Sequence, residues 1–346
     1  MSEALAVKYR PKTWDDVCEQ REIIDILTNQ LKSNEIKHGY LFTGPAGCGK
    51  TTAARIFAND INKGNGHPIE MDAASNNSVE DVRRLIDDAQ TKSIDGDYKI
   101  FIVDECHMIS NAGWNAFLKT LEEPPAMSIF ILCTTNPEKI PATILSRVQR
   151  YNFKKISQAG IWERLQYIFL HENAGNDYYY DKGALEYIAK MANGGMREAI
   201  TLMDKCLSYS KELTLENVSK ALGTANYSVL FDLTKKLSNN EKTGEVMYRS
   251  EVIKTLENVY EDGIDLKLFI KQYFELVLEL TSYSITEDET LAKIPSSYYE
   301  DLKGFDHGFL VKLLDFLSDL NYALKYEQSP RYVVIAKFIL FMEGDK

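Results

Sequence analysis

The stretch Gly44-Pro45-Ala46-Gly47-Cys48-Gly49-Lys50-Thr51 has the spacing GxxxxGK[ST]. It directly follows an apolar run, Tyr40-Leu41-Phe42, and directly precedes a helical pattern over residues 52–61, which begins at Thr52. Glycines let such a loop curl so that backbone N–H groups face phosphate oxygens, and the N-terminus of the next helix adds partial positive charge. The stretch predicts a phosphate-binding loop between a strand and a helix. A glycine-rich turn without ligand is the alternative that these flanks disfavour.

Two residues of this loop and a later carboxylate pair predict the chemistry. Lys50 is placed to reach the β- and γ-phosphates, and Thr51 to offer its hydroxyl to Mg²⁺. A second apolar run, 100–103, ends in Asp104-Glu105, and a carboxylate pair at the end of a buried strand is costly unless it serves a cation or a reaction. Asp104 fits the Mg²⁺ shell, and Glu105 fits the base that activates water against the γ-phosphate.

Polar residues also follow a third apolar run, 129–132, at Thr134-Thr135-Asn136. They suit γ-phosphate sensing and turn formation equally well. His107 is expected to be structural or exposed, because no other His or Cys lies at metal-binding spacing from it. Arg147 and Arg197 are candidates to stabilise charge on a transferred phosphoryl group, a task that a neighbouring subunit can perform, although ordinary surface roles stay open.

The pattern along the chain predicts three domains. Apolar runs alternate with helices up to residue 155, which is typical of a parallel sheet covered on both faces. Helical patterns then dominate residues 156–224, and residues 225–346 are helical again. The third domain contains an apolar stripe with helical 3-4 spacing, which consists of Phe309, Leu313, Phe316, Leu317, Leu320 and Leu324.

Length and composition indicate a globular protein. At 346 residues the chain exceeds a usual domain length of roughly 150 residues. Hydrophobic residues make up 45% and charged residues 26%, which argues against disorder and fibrous repeats. The five cysteines contain no CxxC pair, so neither a zinc ribbon nor a disulfide framework is expected. No leader and no apolar run of roughly 20 residues is found, which predicts a cytoplasmic protein without membrane contact.

The net charge of −11 is unevenly distributed. The first 155 residues carry 19 Lys/Arg against 21 Asp/Glu, whereas the rest carry 21 against 30. Indiscriminate nucleic-acid binding is therefore disfavoured, and a DNA role would need a local basic surface on the first half.

Eight segments follow one another in the order seen in one bacterial family: Lys8-Tyr9-Arg10-Pro11, Gly44–Thr51, Asp72-Ala73-Ala74-Ser75, Val103–Met108, Lys119–Pro125, Thr134–Pro137, Leu145-Ser146-Arg147 and Met196-Arg197-Glu198-Ala199. They resemble the DNA polymerase III γ/τ family, the AAA+ ATPase motor of the sliding-clamp loader. The match is dense over residues 1–210 and beyond them rests mainly on length and helical character. The resemblance implies an α/β AAA+ P-loop NTPase domain with a parallel sheet, a small helical lid domain and an all-α collar domain.

The resemblance also implies particular roles. Arg10, Pro11 and Val17 would lie by the adenine of ATP, and Thr135 would be the sensor-1 residue. Arg197 would be the sensor-2 residue of its own subunit, and Arg147 the finger that reaches the ATP of a neighbour. The implied partners are a β-type sliding clamp, δ- and δ′-type subunits, further copies of this chain in a ring, and primer-template DNA.

The chain departs from the family in two respects. The cysteine-rich zinc module after the P-loop helix is missing, since residues 62–67 lead almost directly to the next strand, so no zinc is expected. The chain also ends after the collar and resembles the γ core alone, with a cellular or a phage origin left open. The expected DNA contacts are the amides at the start of helix 78–90 and four side chains, namely Asn76, Ser78, Arg83 and Lys119.

Three alternatives remain beside the clamp-loader motor. A replication factor C small subunit shares the Arg-Pro start and the serine-arginine motif. A non-catalytic scaffold like the δ′ subunit is opposed by the intact Lys50 and Glu105. An AAA+ unfoldase or branch-migration motor would need pore or junction elements, and the family's own segments outweigh that interpretation.

Overall fold

The computed structural model describes residues 3–93, 96–174, 178–288, 294 and 296–344. The chain forms two compact units, the first comprising Met1–Phe169 with Ala192–Thr201 and the second Leu170–Met191 with Leu202–Lys346. The three predicted domains, with boundaries near residues 155 and 224, stay a prediction.

The first unit contains the predicted parallel sheet, which has five strands. Its strands are β1 (Gly39–Thr43), β2 (Ile69–Asp72), β3 (Lys99–Asp104), β4 (Ser128–Thr134) and β5 (Gln149–Asn152). Their order across the sheet is β2-β3-β4-β1-β5, and each neighbouring pair is parallel. The carboxyl ends of β1, β3 and β4 therefore meet at one edge, where the predicted site residues follow them.

The helices that accompany this sheet are α1 (Leu5–Lys8), α2 (Arg21–Ser33), α3 (Lys50–Ile61), α4 (Val79–Ala89), α5 (Asn111–Glu122), α6 (Ala142–Leu145) and most of α7 (Gln158–Glu172). Helix α4 begins at the predicted cap, since the Ser78 hydroxyl accepts from the Asp81 N–H and the Asp81 carboxylate accepts from the Ser78 N–H. Helix α5 ends before Pro124-Pro125, as the sequence predicts.

The central strands are buried on both faces. Tyr40 and Phe42 of β1 pack into one core layer with Phe57 of α3, whereas Leu41 packs into the opposite layer with Phe117 of α5. Burial on both faces explains why these strands appear in the sequence as continuous apolar runs. Packing on both faces also holds in place the carboxyl ends of these strands, where the predicted site residues lie.

The second unit is predominantly helical. It holds α8 (Lys182–Met191), the C-terminal half of α9 (Met196–Tyr209), α10 (Leu215–Leu222), α11 (Tyr227–Thr243), α12 (Val246–Glu261), α13 (Leu266–Thr286), α14 (His307–Leu324) and α15 (Pro330–Glu343), with a short parallel pair, β6 (Tyr179–Tyr180) and β7 (Glu212–Leu213). The predicted stripe on α14 is core: all its members are buried except the half-buried Phe316, whose ring contacts Phe338 and Phe341 of α15. Within the described ranges, no helix is long and apolar enough to cross a membrane.

Candidate nucleotide site

The loop between β1 and α3 has a backbone that only glycine adopts readily. Gly44, Gly47 and Gly49 have φ values of 145°, 72° and 100°. A Cβ on Gly44 would lie 2.3 Å from the carbonyl oxygen of Phe153, and one on Gly47 would lie 3.1 Å from Cα of Gly195. Backbone conformation favours glycine at all three positions, and close approach of other segments adds to it at Gly44 and Gly47, as expected of a phosphate-binding loop.

Lys50 lies folded over this loop. Its side chain is almost completely buried, and Nζ donates to the carbonyl oxygens of Gly44 at 2.9 Å and Pro45 at 2.7 Å. An ammonium group has three donors, and no third partner is found among the residues that the structure describes. The lysine therefore presents a fixed positive charge with one donor left for an anion at the loop.

The end of β3 lies beside the start of α3. The Thr51 hydroxyl donates to Oδ2 of Asp104 at 2.8 Å, and Oδ1 of Asp104 accepts the backbone N–H of Glu105 at 3.0 Å. A hydroxyl and a carboxylate oxygen so close together are hard ligands of the kind that Mg²⁺ prefers. The donor set therefore fits the predicted role of Thr51 and Asp104.

Glu105 occupies an unusual backbone position. Its φ and ψ are 46° and 41°, the left-handed region that non-glycine residues seldom adopt. One carboxylate oxygen, Oε2, accepts the Thr135 hydroxyl at 3.0 Å and lies 3.3 Å from Nδ1 of His107. Thr135 thus contacts the proposed base directly. The sequence alone had left open whether the residues at this strand end sense the γ-phosphate or form a turn.

A cavity of about 790 Å³ opens at this edge of the first unit. Its volume suits a ligand of nucleotide size. The predicted residues that line it are Arg10, Pro11, Val17, Pro45, Ala46, Gly47, Cys48, Gly49, Lys50, Thr51, Thr52, Asp104, Glu105 and Arg197. Gly44, Thr135 and Arg147 lie outside the lining. The structure thus gathers residues from distant segments of the chain around one volume.

The cavity has lining residues that the sequence did not single out. Arg164 of α7 lies at the same end as Arg10, and its guanidinium donates to the carbonyl oxygen of Tyr9 at 3.3 Å. Cys18 also lines the cavity, and its burial raises the pKa of the thiol to about 11. Burial likewise raises the pKa of the Cys48 thiol in the loop. Neither cysteine is a thiolate at neutral pH, so neither is a ready nucleophile or metal ligand there.

Arg197 is brought to the loop by the start of α9. The backbone N–H of Met196 donates to the carbonyl oxygen of Gly47 at 2.9 Å, which ties the helix to the loop. Gly194, with φ of 90°, makes the turn before this helix. This placement within the first unit suits a cation that acts on a nucleotide held by its own chain.

Arg147 follows α6 and is held elsewhere. Its guanidinium pairs with Oε1 of Glu122 at 2.5 Å and donates to the carbonyl oxygen of Thr143 and the hydroxyl of Ser146. About a third of the side chain is exposed. Arg147 therefore does not reach into the cavity beside its own loop.

The four predicted DNA contacts stay predictions. The Ser78 hydroxyl and the Asn76 amide are already engaged, the first in the α4 cap and the second in a bond to the carbonyl oxygen of Asp72 at 3.1 Å. Arg83 and Lys119 are exposed on α4 and α5, two helices that pack together. Among the described residues no cluster of three His, Cys, Asp or Glu suited to a metal is found, and the expectation of no zinc stays untested.

Comparison with known proteins shows the relatives of this chain. A family model described as DNA polymerase III, delta subunit, matches residues 19–78 and 67–157. The DNA polymerase III tau subunit of Bacillus subtilis (strain 168) is 34% identical, with 95% of this chain and 61% of that protein covered. The tau/gamma subunit of Haemophilus influenzae is 38% identical, with 72% of this chain but 38% of that protein covered. The chain thus spans less than two thirds of these two relatives.

A shorter relative is covered almost entirely. The DNA polymerase III gamma subunit of Buchnera aphidicola subsp. Baizongia pistaciae is 34% identical, with 86% of this chain and 87% of that protein covered. Among solved structures, the RuvB Holliday junction branch migration motor of Thermotoga maritima aligns with a TM-score of 0.50 at 18% identity, over 84% of this chain and 90% of that one. At that identity the likeness establishes the AAA+ fold alone.

Proposed function

Because this chain belongs to the DNA polymerase III γ/τ family, we propose that it is an ATPase subunit of a sliding-clamp loader. One observation carries the proposal: Lys50, the Thr51–Asp104 pair and Glu105 meet at one edge of the sheet, around a cavity of nucleotide size. A phosphate-binding loop, two hard oxygen ligands and a further carboxylate to orient water are the components that hydrolysis of a nucleoside triphosphate needs.

The chain's own groups divide the work of hydrolysis. The loop amides and Lys50 hold the β- and γ-phosphates, and Arg197 contacts the nucleotide from the start of α9. Thr51 and Asp104 hold Mg²⁺, which when bound neutralises charge on the phosphate oxygens. Glu105 orients a water molecule and takes its proton. Arg10, Pro11 and Val17 enclose the adenine.

Arg147 is proposed to act on a neighbouring subunit. It lies outside the cavity of its own chain and is partly exposed, as a residue that crosses a subunit junction must be. A guanidinium supplied by the next subunit makes each site complete only in the ring. ATP binding would thereby set the shape of the ring and hold a β-type clamp open on primer-template DNA. Hydrolysis would then release the closed clamp.

The proposed partners are the clamp, δ- and δ′-type subunits, copies of this chain and primed DNA, in the cytoplasm. The match to a delta-subunit model keeps a non-catalytic scaffold as the second candidate. The two differ in their need for Lys50.

The test is clamp loading by the reconstituted complex that contains Lys50→Ala. A motor subunit loses both ATP binding and loading, because the loop loses its fixed cation. Lys63→Ala, an exposed lysine just after α3, is the matched control and should load normally. Normal loading with Lys50→Ala would favour the scaffold, and wild-type complex without ATPase stimulation by clamp and primed DNA would refute the motor.

A further inference from the structure

The residues around Glu105 form a polar network at the ends of β3 and β4. His107 lies in the one-turn helix Cys106–Met108, and its side chain is 8% exposed. Its Nδ1 is 3.0 Å from the Thr134 hydroxyl and 3.3 Å from Oε2 of Glu105. Its Nε2 is 3.2 Å from Nδ2 of Asn136. Both ring nitrogens therefore face a polar group at close range.

These neighbours select one tautomer of the imidazole. The Asn136 amide nitrogen can only donate, so Nε2 must accept and carry no proton. The Glu105 carboxylate can only accept, so the nitrogen that faces it must carry the proton. The Thr134 hydroxyl accepts the backbone N–H of Asn136 at 3.0 Å. Because it is able either to donate to Nδ1 or to accept from it, this hydroxyl does not determine the tautomer. The arrangement is satisfied with the proton on Nδ1.

The opposite tautomer is disfavoured at two contacts. A bare Nδ1 would face a carboxylate oxygen at 3.3 Å, and a protonated Nε2 would face an amide N–H. Rotating the Asn136 amide by 180° would repair the second contact but leave the first. The negative charge of Glu105 therefore favours the proton on Nδ1 of His107, and the amide of Asn136 donates to the unprotonated Nε2.

A role for this network in catalysis rests on the proposed function of Glu105 as the base. We propose that His107, with its proton on Nδ1, is a positioning residue for Glu105. The Thr135 hydroxyl donates to Oε2, and Nδ1 of His107 lies 3.3 Å from the same oxygen. The other oxygen, Oε1, has no hydrogen-bond partner among the described residues, and it is left to accept the proton of the water.

Such an anchor is needed because Glu105 is otherwise poorly defined. About a third of its side chain is exposed, and a glutamate has several rotatable bonds. A hydrogen bond to an ionised group is stronger than a neutral one, and a protonated ring nitrogen beside the same oxygen adds electrostatic attraction, so Thr135 and His107 together restrict the carboxylate. A general base must lie within hydrogen-bond reach of its water, and a misplacement of about 1 Å costs roughly 10²-fold in rate.

The test compares three substitutions of His107 in the full reconstituted complex. The amide nitrogen of Asn lies close to the position of Nδ1, whereas that of Gln lies close to Nε2. We expect His107→Asn to keep most of the wild-type kcat, and His107→Gln and His107→Ala to lose about 10²-fold. Affinity for a fluorescent ATP analogue should stay at the wild-type value in all three, because His107 touches Glu105 and not the loop. Equal losses in all three variants, or retention by Gln and loss by Asn, would overturn the proposal.

A second readout does not depend on turnover. Nitrogen-15 NMR of the histidine rings, with His107 identified by the signal that His107→Asn removes, should show the proton on Nδ1. A proton on Nε2 overturns the inference even if the enzyme is active. Glu105→Gln separates the two proposals: if it hydrolyses ATP as fast as wild type, the proposed base is wrong, and the role of His107 fails with it. If wild type and Glu105→Gln behave as expected and the His107 series does not, the inference alone fails.

Discussion

Gly44→Ala tests the close approach between the phosphate-binding loop and the segment after β5. The new Cβ would lie 2.3 Å from the carbonyl oxygen of Phe153, at a residue whose φ is 145°. The backbone N–H of Phe153 also donates to the carbonyl oxygen of Thr43 at 2.7 Å, so the two segments are tied together. They cannot separate to admit a methyl group without weakening that bond.

Two costs add in this substitution. Holding a non-glycine residue in a sparsely populated backbone region costs about 1–3 kcal/mol, and forcing extra atoms into a packed region costs about 1–3 kcal/mol more. We therefore expect a loss of about 2–6 kcal/mol in the free energy of unfolding. Gly49→Ala is the matched control, since its φ is 100° but its Cβ would meet nothing within 4 Å. It should incur only the backbone cost, about 1–3 kcal/mol.

The assay is urea unfolding followed by tryptophan fluorescence, without nucleotide. The three tryptophans of the chain, Trp14, Trp114 and Trp162, all lie in the first unit, so the signal reports the unit that carries the loop. The midpoint for Gly44→Ala should fall below that of Gly49→Ala at an unchanged slope. Equal midpoints for the two variants would show that the contact with Phe153 does not limit position 44.

Two further outcomes are expected. Arg147→Ala should leave the ATP affinity of its own subunit nearly intact and lower turnover at the adjoining site by about 10³-fold or more, measured in mixed oligomers with one marked site. A loss confined to its own site would contradict the role across the junction. Because burial raises the pKa of Cys18 to about 11, its alkylation by iodoacetamide, mapped by mass spectrometry, should rise about tenfold per pH unit from pH 8 to pH 10, and ATP should protect it. A rate that levels off near pH 9 would show an ordinary thiol.

The sequence predicted those elements of the fold in which local pattern and tertiary burial agree. The three central strands are buried on both faces and appear as apolar runs, and Ser78 marks the start of α4 because its cap is formed by a residue three positions away. The edge strands β2 and β5 carry no such run, since most of their residues are exposed. The pair β6-β7 has only two residues in each strand, too few for any alternation to be visible.

In the candidate site, too, some residues could be predicted from the sequence and others could not. The loop, Asp104 and Glu105 have fixed spacing or a fixed place at a strand end, and the sequence alone names them. Cys18 and Arg164 line the cavity only because α7 and the segment before α2 fold to its rim, and no spacing relates them to the loop. The contact between His107 and Glu105 depends on the left-handed backbone at Glu105, which residue types do not reveal.

The ion pair between Arg147 and Glu122 bears on whether Arg147 is able to serve another subunit. Both side chains are partly exposed, 31% and 48%, and ion pairs of that kind contribute only about 0–1 kcal/mol. A triphosphate at a junction offers several acceptor oxygens and more charge, and a guanidinium binds such groups in bidentate fashion. In the proposed ring we therefore expect the Arg147 guanidinium to exchange Glu122 for a neighbour's phosphates. In this chain Glu122 and the carbonyl oxygen of Thr143 hold the guanidinium away from its own cavity, an arrangement that is compatible with the proposed role of Arg147 at a neighbour's site.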